Sequence, residues 1–174
     1  GLMSEEAEKL INLGNTRDHF HQLEDCDWIA EAVVERLDIK QALYRRLNDT
    51  CKESTIITSN TSTIPIKLLT EGMPTEFCER FAITHFFNPV RFMRLLELVR
   101  GEFTRDDVIN TLDVFSEINL GKGVVSCSDT PGFLANRVGV FAIQCALHNA
   151  FDLKLSPTEA DAFFGRPLGL PKTG

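Results

Sequence analysis

The sequence predicts an α/β protein with a mostly parallel sheet, and three observations support this fold class. Short apolar runs rich in β-branched residues alternate with segments whose apolar residues have helical spacing. The chain has 174 residues, of which 43% are hydrophobic and 25% charged, so it can bury a substantial core. Polar residues follow three of the predicted strands, which is where open α/β sheets bind ligands.

The first third of the chain predicts one strand followed by one helix. The residues up to about Glu24 are polar and weakly patterned, which is typical of a loop with a short helix. DWIAEAVV, at 27–34, predicts a strand buried on both faces. ERLDIKQALYRRLNDTC then places Ile39, Leu43 and Leu47 on one face of a helix.

The middle of the chain repeats this alternation. STIITSN, at 54–60, predicts a second strand, and STIPIKLLTEG predicts a helix that begins near Pro65 and ends near Gly72. RFAITHFF and MRLLELV predict the third and fourth strands. TRDDVINTLDVFSEI predicts a helix that opens with a capping box formed by Thr104 and Asp107.

The last third predicts one strand and two helices. KGVVSCSD predicts a fifth strand. PGFLANRVGVFAIQCALHNAFDL is apolar nearly all round, so we expect a long helix buried between two structural units. Ser156, Pro157 and Glu159 then have the order of an N-cap, a first-turn proline and an N3 acid, which predicts a new helix.

Composition excludes several classes of function. The net charge of −7 argues against a nucleic-acid partner, and no apolar run approaches the length of a membrane span. The five cysteines are scattered without a C-x-x-C pair, which indicates reduced, mostly buried thiols in a cytoplasmic protein. His19 and His21 are too few ligands for a metal site, and we expect no metal.

The stretch THFFNPVRFMRLLELV places His85 and Glu97 in two adjacent predicted strands. Buried ionisable groups are unfavourable unless they are paired or used in chemistry. The two side chains could form a satisfied pair in the core. Alternatively, Glu97 could orient His85, whose ordinary pKa suits proton exchange near neutral pH. The pattern of residues leaves both interpretations open.

Two further polar groups allow a structural and a functional interpretation. The hydroxyl and amide residues 59–63 could cap the next helix or hold a negative oxygen. Asn136 and Arg137 could solvate the start of the long helix or reach a ligand. Ser62, His85 and Glu97 together are the residue types of a hydrolase, but the sequence has no G-x-S-x-G turn to expose the serine.

Several motifs in the same order resemble the 3-hydroxyacyl-CoA dehydrogenase family, from about Cys26 onward. They are EAVVERLDIK, SNTSTIPI, THFFNPVRFMRLLELV, GKGVVSCSDTPGFLANR and GRPLGLPKTG. The resemblance implies a Rossmann-type domain and oxidation of an L-3-hydroxyacyl-CoA to the 3-ketone, with hydride passing to NAD. The alternative is a non-catalytic Rossmann-like binding or structural relative, which has no reason to retain His85 with Glu97.

The resemblance also implies roles for individual residues. His85 would be the base that takes the hydroxyl proton, and Glu97 the carboxylate that orients it. Ser62 and Asn136 match positions that hydrogen-bond the reacting oxygens of the substrate. The positions that line the ribose and nicotinamide end of the cofactor would be Ala32, Glu35, Lys40 and Asn88, with Ser62 close by.

The sequence departs from the family pattern at both ends. It has no G-x-G-x-x-G motif, since the only glycines before Cys26 are Gly1 and Gly14. We therefore expect a partial doubly wound sheet that lacks its first βαβ unit, with residues 1–153 in the NAD-binding domain. Residues 154–174 would start a helical domain, and GRPLGLPKTG resembles the long fused bacterial enzymes. We also expect a homo-oligomer formed through the long apolar helix.

The missing glycine-rich turn predicts weak binding of NAD by this chain. That turn supplies backbone N–H groups and a helix dipole to the pyrophosphate. Isothermal titration of the chain with NAD should therefore show no binding in the micromolar range. A micromolar dissociation constant would contradict the prediction.

Overall fold

The computed structural model describes residues 5–169. The chain divides into two compact units, residues 1–129 and 130–174. The first unit holds the sheet and the second holds two helices. The predicted domain boundary after residue 153 falls between those two helices and remains a prediction.

The first unit is built on one five-stranded sheet whose spatial order follows the chain. The strands are β1 (Trp28–Glu31), β2 (Ile56–Ser59), β3 (Phe81–Phe86), β4 (Leu95–Arg100) and β5 (Gly123–Cys127). β1, β2 and β3 run parallel, β4 pairs antiparallel with β3, and β5 runs parallel to β4. The predicted α/β class with a mostly parallel sheet is therefore confirmed.

Seven α-helices lie in the described range. They are α1 (Glu5–Glu8), α2 (Leu37–Thr50), α3 (Ile66–Leu69), α4 (Thr75–Glu79), α5 (Asp106–Ile118), α6 (Ala135–Asp152) and α7 (Pro157–Phe164). The sequence did not predict α4. Gly72 has a φ of +74°, so it ends the turn after α3, and Pro74 stands at the start of the new helix.

Both faces of the sheet are covered by helices. Phe81 of β3 packs on Tyr44 of α2 with ring centroids 5.1 Å apart and on Phe77 of α4 at 5.6 Å. The next residue, Ala82, points to the other face and belongs to a cluster with Val108 and Leu112 of α5. The sheet therefore forms the middle layer of the first unit.

The first strand is shorter and less buried than predicted. β1 ends at Glu31 instead of reaching Val34, because the Glu31 carboxylate accepts the backbone N–H of Val33 and turns the chain. Ala30 is exposed, so β1 is not buried on both faces. β1 pairs only with β2 and forms an edge of the sheet within the described residues.

The predicted capping box of α5 is wrong, whereas the predicted N-cap, first-turn proline and N3 acid of α7 are confirmed. Arg105 is the N-cap residue of α5, and its side chain makes no capping hydrogen bond. The Thr104 hydroxyl instead donates to the carbonyl of Phe81 at 2.6 Å and accepts the N–H of Gly101 at 2.8 Å. In α7, the side chains of Ser156 and Glu159 each bond the other's backbone.

The expectation that the long helix is buried is wrong. Ala150 is the one buried residue of α6, and several large apolar side chains of this helix are exposed. These are Val138, Val140, Phe141, Ile143, Leu147 and Phe151. Apolar composition shows that a helix favours an apolar partner, but it does not show whether the chain supplies one. No helix in the described range is long and apolar enough to cross a membrane.

The cysteines are less buried than predicted. All five are free, but only Cys51 is buried, and Cys145 is exposed. Sequence spacing bears on pairing, whereas burial depends on where each residue lies in the tertiary structure.

The buried Thr104 hydroxyl should be important for stability. Thr104→Val keeps the side-chain shape but leaves the Phe81 carbonyl and the Gly101 N–H without this partner. We expect the free energy of unfolding to fall by about 1–3 kcal/mol in urea titrations followed by circular dichroism.

The exposed Thr111, whose hydroxyl bonds the Asp107 carbonyl within α5, provides the matched control. Thr111→Val should change stability by no more than about 0.5 kcal/mol. Equal effects of the two substitutions would show that the Thr104 bridge contributes little.

Candidate active site at the carboxyl edge of the first three strands

Asn60 joins the ends of the three parallel strands. Its backbone N–H donates to the carbonyl of Glu31 at the end of β1. Its side-chain oxygen accepts the N–H of Phe86 at the end of β3, at 2.8 Å. The loops after β1, β2 and β3 therefore meet at one edge of the sheet, as the sequence predicted.

His85 and Glu97 are in direct contact at this edge. They are directly opposite each other in the antiparallel register of β3 and β4, and the His85 Nδ1 lies 2.8 Å from the Glu97 Oε2. The Glu97 side chain is fully buried and that of His85 is 9% exposed. Opposite residues of an antiparallel pair share one face of the sheet, so the register alone accounts for the contact.

This geometry suits proton transfer through the other nitrogen of the imidazole ring. A carboxylate that accepts from Nδ1–H fixes the tautomer in which Nε2 can take a proton. The same carboxylate stabilises the imidazolium that then forms. The predicted contact is confirmed, while the catalytic role of the pair remains a prediction.

Two neighbours complete the surroundings of the pair. The Cys127 thiol of β5 lies 3.8 Å from the second oxygen of Glu97. The ring of Phe87 packs edge-on against His85 with centroids 4.6 Å apart. Sequence reasoning did not identify Cys127 as a site residue. Cys127 lies two residues after Val125, which pairs with Glu97, and this spacing along a strand could have placed it near Glu97.

The hydroxyl cluster after β2 holds the carboxylate of Glu35. The hydroxyls of Thr61 and Thr63 both donate to Oε1 of Glu35, and the bond from Thr63 is 3.1 Å long. The Lys40 Nζ lies 3.2 Å from Oε2 of Glu35. Burial acts to raise the pKa of Glu35, but the hydrogen bonds from Thr61 and Lys40 outweigh it, and the pKa is lowered. Glu35 is therefore ionised near neutral pH.

The capping interpretation of this cluster is wrong. Pro65 is the N-cap residue of α3, and no residue of the cluster bonds the first turn of that helix. The backbone N–H of Ile66, at the start of α3, donates to Asp129 at 2.9 Å. The cluster holds a negative oxygen, as the second interpretation proposed, and that oxygen belongs to the protein itself.

The remaining predicted residues occupy different positions. Ala32 and Asn88 are exposed in the loops after β1 and β3, and Ser62 is partly buried in the loop after β2. Lys40 is buried in α2. Asn136 is the second residue of α6, in the second unit, so its proximity to His85 remains a prediction.

Sequence reasoning missed Glu31, a buried carboxylate at this edge of the sheet. Glu31 is 3% exposed and accepts hydrogen bonds from Lys40, Tyr44 and Ser59 as well as from the Val33 backbone. An acidic residue inside an apolar run, followed nine residues later by a lysine on a helix, was the available signal.

The sequence matches the family described as "3-hydroxyacyl-CoA dehydrogenase, NAD binding domain" over residues 1–130. It is 43% identical over 164 residues to a putative fatty acid oxidation complex trifunctional enzyme of Rickettsia prowazekii, covering 94% of this chain and 23% of the relative. It is 41% identical over 168 residues to a probable 3-hydroxyacyl-CoA dehydrogenase of Deinococcus radiodurans, covering 97% of this chain and 49% of the relative. The chain thus spans between about a quarter and a half of these relatives' length.

Solved structures show the same similarity. The 3-hydroxybutyryl-CoA dehydrogenase of Escherichia coli aligns with a TM-score of 0.71 and 36% identity, covering 78% of this chain and 28% of that one. The (S)-3-hydroxybutyryl-CoA dehydrogenase PaaH1 of Ralstonia eutropha aligns with a TM-score of 0.73 and 34% identity, covering 80% of this chain and 48% of that one.

The lowered pKa of Glu35 predicts a pH-dependent contribution to stability. A carboxyl group whose folded pKa lies below its ordinary value of 4.5 stabilises the protein above that pH. The contribution is lost as the pH falls through the folded pKa. Glu35→Gln should therefore lower the free energy of unfolding at pH 7, by less than about 1 kcal/mol because the side chain is partly exposed.

The measurement compares urea unfolding of the wild type and the variant at pH 7 and pH 3. The difference in unfolding free energy should shrink at the lower pH. Glu117→Gln, at an exposed position on α5, serves as the control. A difference for Glu35→Gln that stays constant between the two pH values would contradict the prediction.

Proposed function

Because the chain belongs to the 3-hydroxyacyl-CoA dehydrogenase family, we propose that its protein oxidises L-3-hydroxyacyl-CoA to 3-ketoacyl-CoA and passes the hydride to NAD. The observation that carries the proposal is the contact of 2.8 Å between His85 and the buried Glu97 at the carboxyl edge of the sheet. This pair has the composition and geometry of a general base with its orienting carboxylate.

The residues beside this pair fit the ribose and nicotinamide end of NAD. Glu35 presents a fixed, ionised carboxylate, 41% exposed, that can accept hydrogen bonds from vicinal hydroxyl groups. Ala32 is a small, exposed residue after the end of β1, and Asn88 offers both a donor and an acceptor after β3. When bound, NAD supplies the hydride acceptor that no protein side chain can provide.

In the proposed mechanism, His85 takes the proton of the substrate hydroxyl as the C–H bond breaks. Negative charge then develops on the substrate oxygen as the proton leaves, and Glu97 stabilises the positive charge on the imidazole. The burial of Glu97 strengthens this interaction, because little water screens it. We assign Ser62 and Asn136 to hydrogen bonds with the substrate oxygens.

The alternative, a non-catalytic relative, is disfavoured by the same pair. A binding or structural protein could replace a buried carboxylate and imidazole with apolar residues of similar volume at little or no cost in stability. Retaining the pair at the edge where ligands bind is more consistent with proton chemistry.

We further propose a cytoplasmic homo-oligomer. The free cysteines support a reducing compartment. The exposed apolar side chains of α6 support association with a second copy, since contiguous apolar surface of this kind tends to be covered by a partner.

The activity test uses the protein expressed from its complete coding sequence. NADH absorbance at 340 nm should rise after mixing with NAD and a 3-hydroxyacyl-CoA, and His85→Ala should lower kcat/KM by about 10²–10⁴-fold. The control is His21→Ala, at an exposed histidine far from His85 in the sequence, and it should keep the wild-type rate.

Each outcome of this test has a distinct meaning. An active wild type with an equally active His85→Ala variant would reject the assignment of the base. A well-folded wild type that shows no activity with acyl chains of any length would favour the non-catalytic alternative.

Self-association should be visible by analytical ultracentrifugation at micromolar concentration. Phe141 of α6 is 70% exposed, and Phe141→Glu should shift the distribution toward the monomer. Phe92→Glu, at a phenylalanine of the first unit that is 75% exposed, should leave it unchanged. A wild-type chain that sediments as a clean monomer would contradict the prediction.

A further inference from the structure

A row of three side chains crosses β3, β4 and β5 at the candidate site. His85 lies opposite Glu97 in the antiparallel register of β3 and β4, and Glu97 pairs with Val125 in the parallel register of β4 and β5. Cys127 follows Val125 by two residues, so both side chains lie on the same face of the sheet. Three neighbouring strands therefore bring an imidazole, a carboxylate and a thiol together.

The two oxygens of Glu97 contact different strands. Oε2 lies 2.8 Å from the His85 Nδ1 on β3, and Oε1 lies 3.8 Å from the Cys127 Sγ on β5. The Glu97 side chain is fully buried, and Cys127 is half-buried. Burial of a carboxylate is unfavourable unless hydrogen-bond donors replace water at its oxygens. The thiol is placed to act as such a donor at Oε1.

The hydrogen of the Cys127 thiol can point to a carbonyl or to the carboxylate. Sγ lies 3.5 Å from the carbonyl oxygen of Val125 and 3.8 Å from Oε1 of Glu97. A thiol is a weak donor, but a hydrogen bond to a charged acceptor is roughly twice as strong as one to a neutral acceptor. The negative charge of Glu97 therefore favours the bond to the carboxylate.

A donor at Oε1 changes what the carboxylate does at Oε2. A carboxylate next to a histidine stabilises the imidazolium, and an imidazolium cannot take the proton of a substrate. A hydrogen bond at Oε1 draws part of the negative charge away from the oxygen that faces His85. It also holds the carboxylate in one orientation. The neutral imidazole that a general base requires is thereby favoured.

We propose that Cys127 is a positioning residue for the base: its thiol bonds Oε1 of Glu97, keeps Oε2 against His85 and limits how strongly the carboxylate attracts the imidazole proton. This inference rests on the proposed function for the role of the pair in proton transfer. It gives β5 a part in the site, although neither the residue pattern nor the family resemblance assigns a functional residue to that strand.

The contact can be tested without cofactor or substrate, by NMR of the chain labelled with ¹⁵N-histidine. The His85 Nδ1–H, held against a carboxylate, should give a proton signal far downfield, and its loss in Glu97→Gln should assign it. Cys127→Val keeps the bulk without the donor and should move the signal further downfield, because Glu97 then attracts the proton more strongly. Cys127→Ser, with a stronger donor, should move it upfield.

The matched control is Ser126→Val, one residue earlier on β5. Ser126 is exposed and pairs with Leu98, so its side chain lies on the opposite face of the sheet. This variant should leave the signal unchanged. If the signal moved in the same direction in Cys127→Val and Cys127→Ser, or in neither, the thiol would not act as a donor and the proposal would be overturned.

The pH profile of kcat/KM gives a second readout, in the protein expressed from its complete coding sequence. The midpoint of the acid limb should rise by about 0.4–0.7 pH unit in Cys127→Val, and it should fall in Cys127→Ser. A lower rate with an unmoved midpoint in both variants would show that Cys127 only packs against the site, and would overturn the proposal. An inactive wild type would reject the proposed function, while the NMR signal would still decide the contact between Cys127 and Glu97.

Discussion

The candidate site depends above all on the register between β3 and β4. This pairing places His85 directly opposite Glu97, and a shift of one residue would turn one of the two side chains to the other face of the sheet. Flanking residues of both strands are buried, including Ile83 and Val99, which are also opposite each other. The apolar core therefore specifies the register, and the register creates the pair.

A second group of contacts fixes the other half of the site. Glu31, at the end of β1, binds groups from the following loop, from α2 and from β2. Through Lys40 it is connected to Glu35 and to the threonine hydroxyls after β2. Replacing these polar groups by apolar ones would remove the directional bonds that hold the loops in place. A fully satisfied polar network thus gives this edge of the sheet a defined geometry, which a site for a polar ligand requires.

Prediction from the sequence was most accurate where local pattern decides the structure. The alternation of strands and helices, α2 and the α7 capping box follow from periodicity and from short-range hydrogen bonds. Prediction failed where a side chain forms its hydrogen bonds with a residue far away in the sequence. Thr104 had the right spacing for a cap but bonds β3, and the hydroxyls after β2 bond Glu35 instead of capping α3.

The amino-acid sequence by itself determined the fold class, the order of the strands along the chain and the motif that contains His85 and Glu97, because these depend on spacing and side-chain type. Only the tertiary structure decided which residues meet. The strand register brings His85 to Glu97, and the packing of α2 on the sheet brings Lys40 between Glu31 and Glu35. The exposure of α6 was likewise decided by packing, since an apolar pattern does not specify where a helix finds its partner.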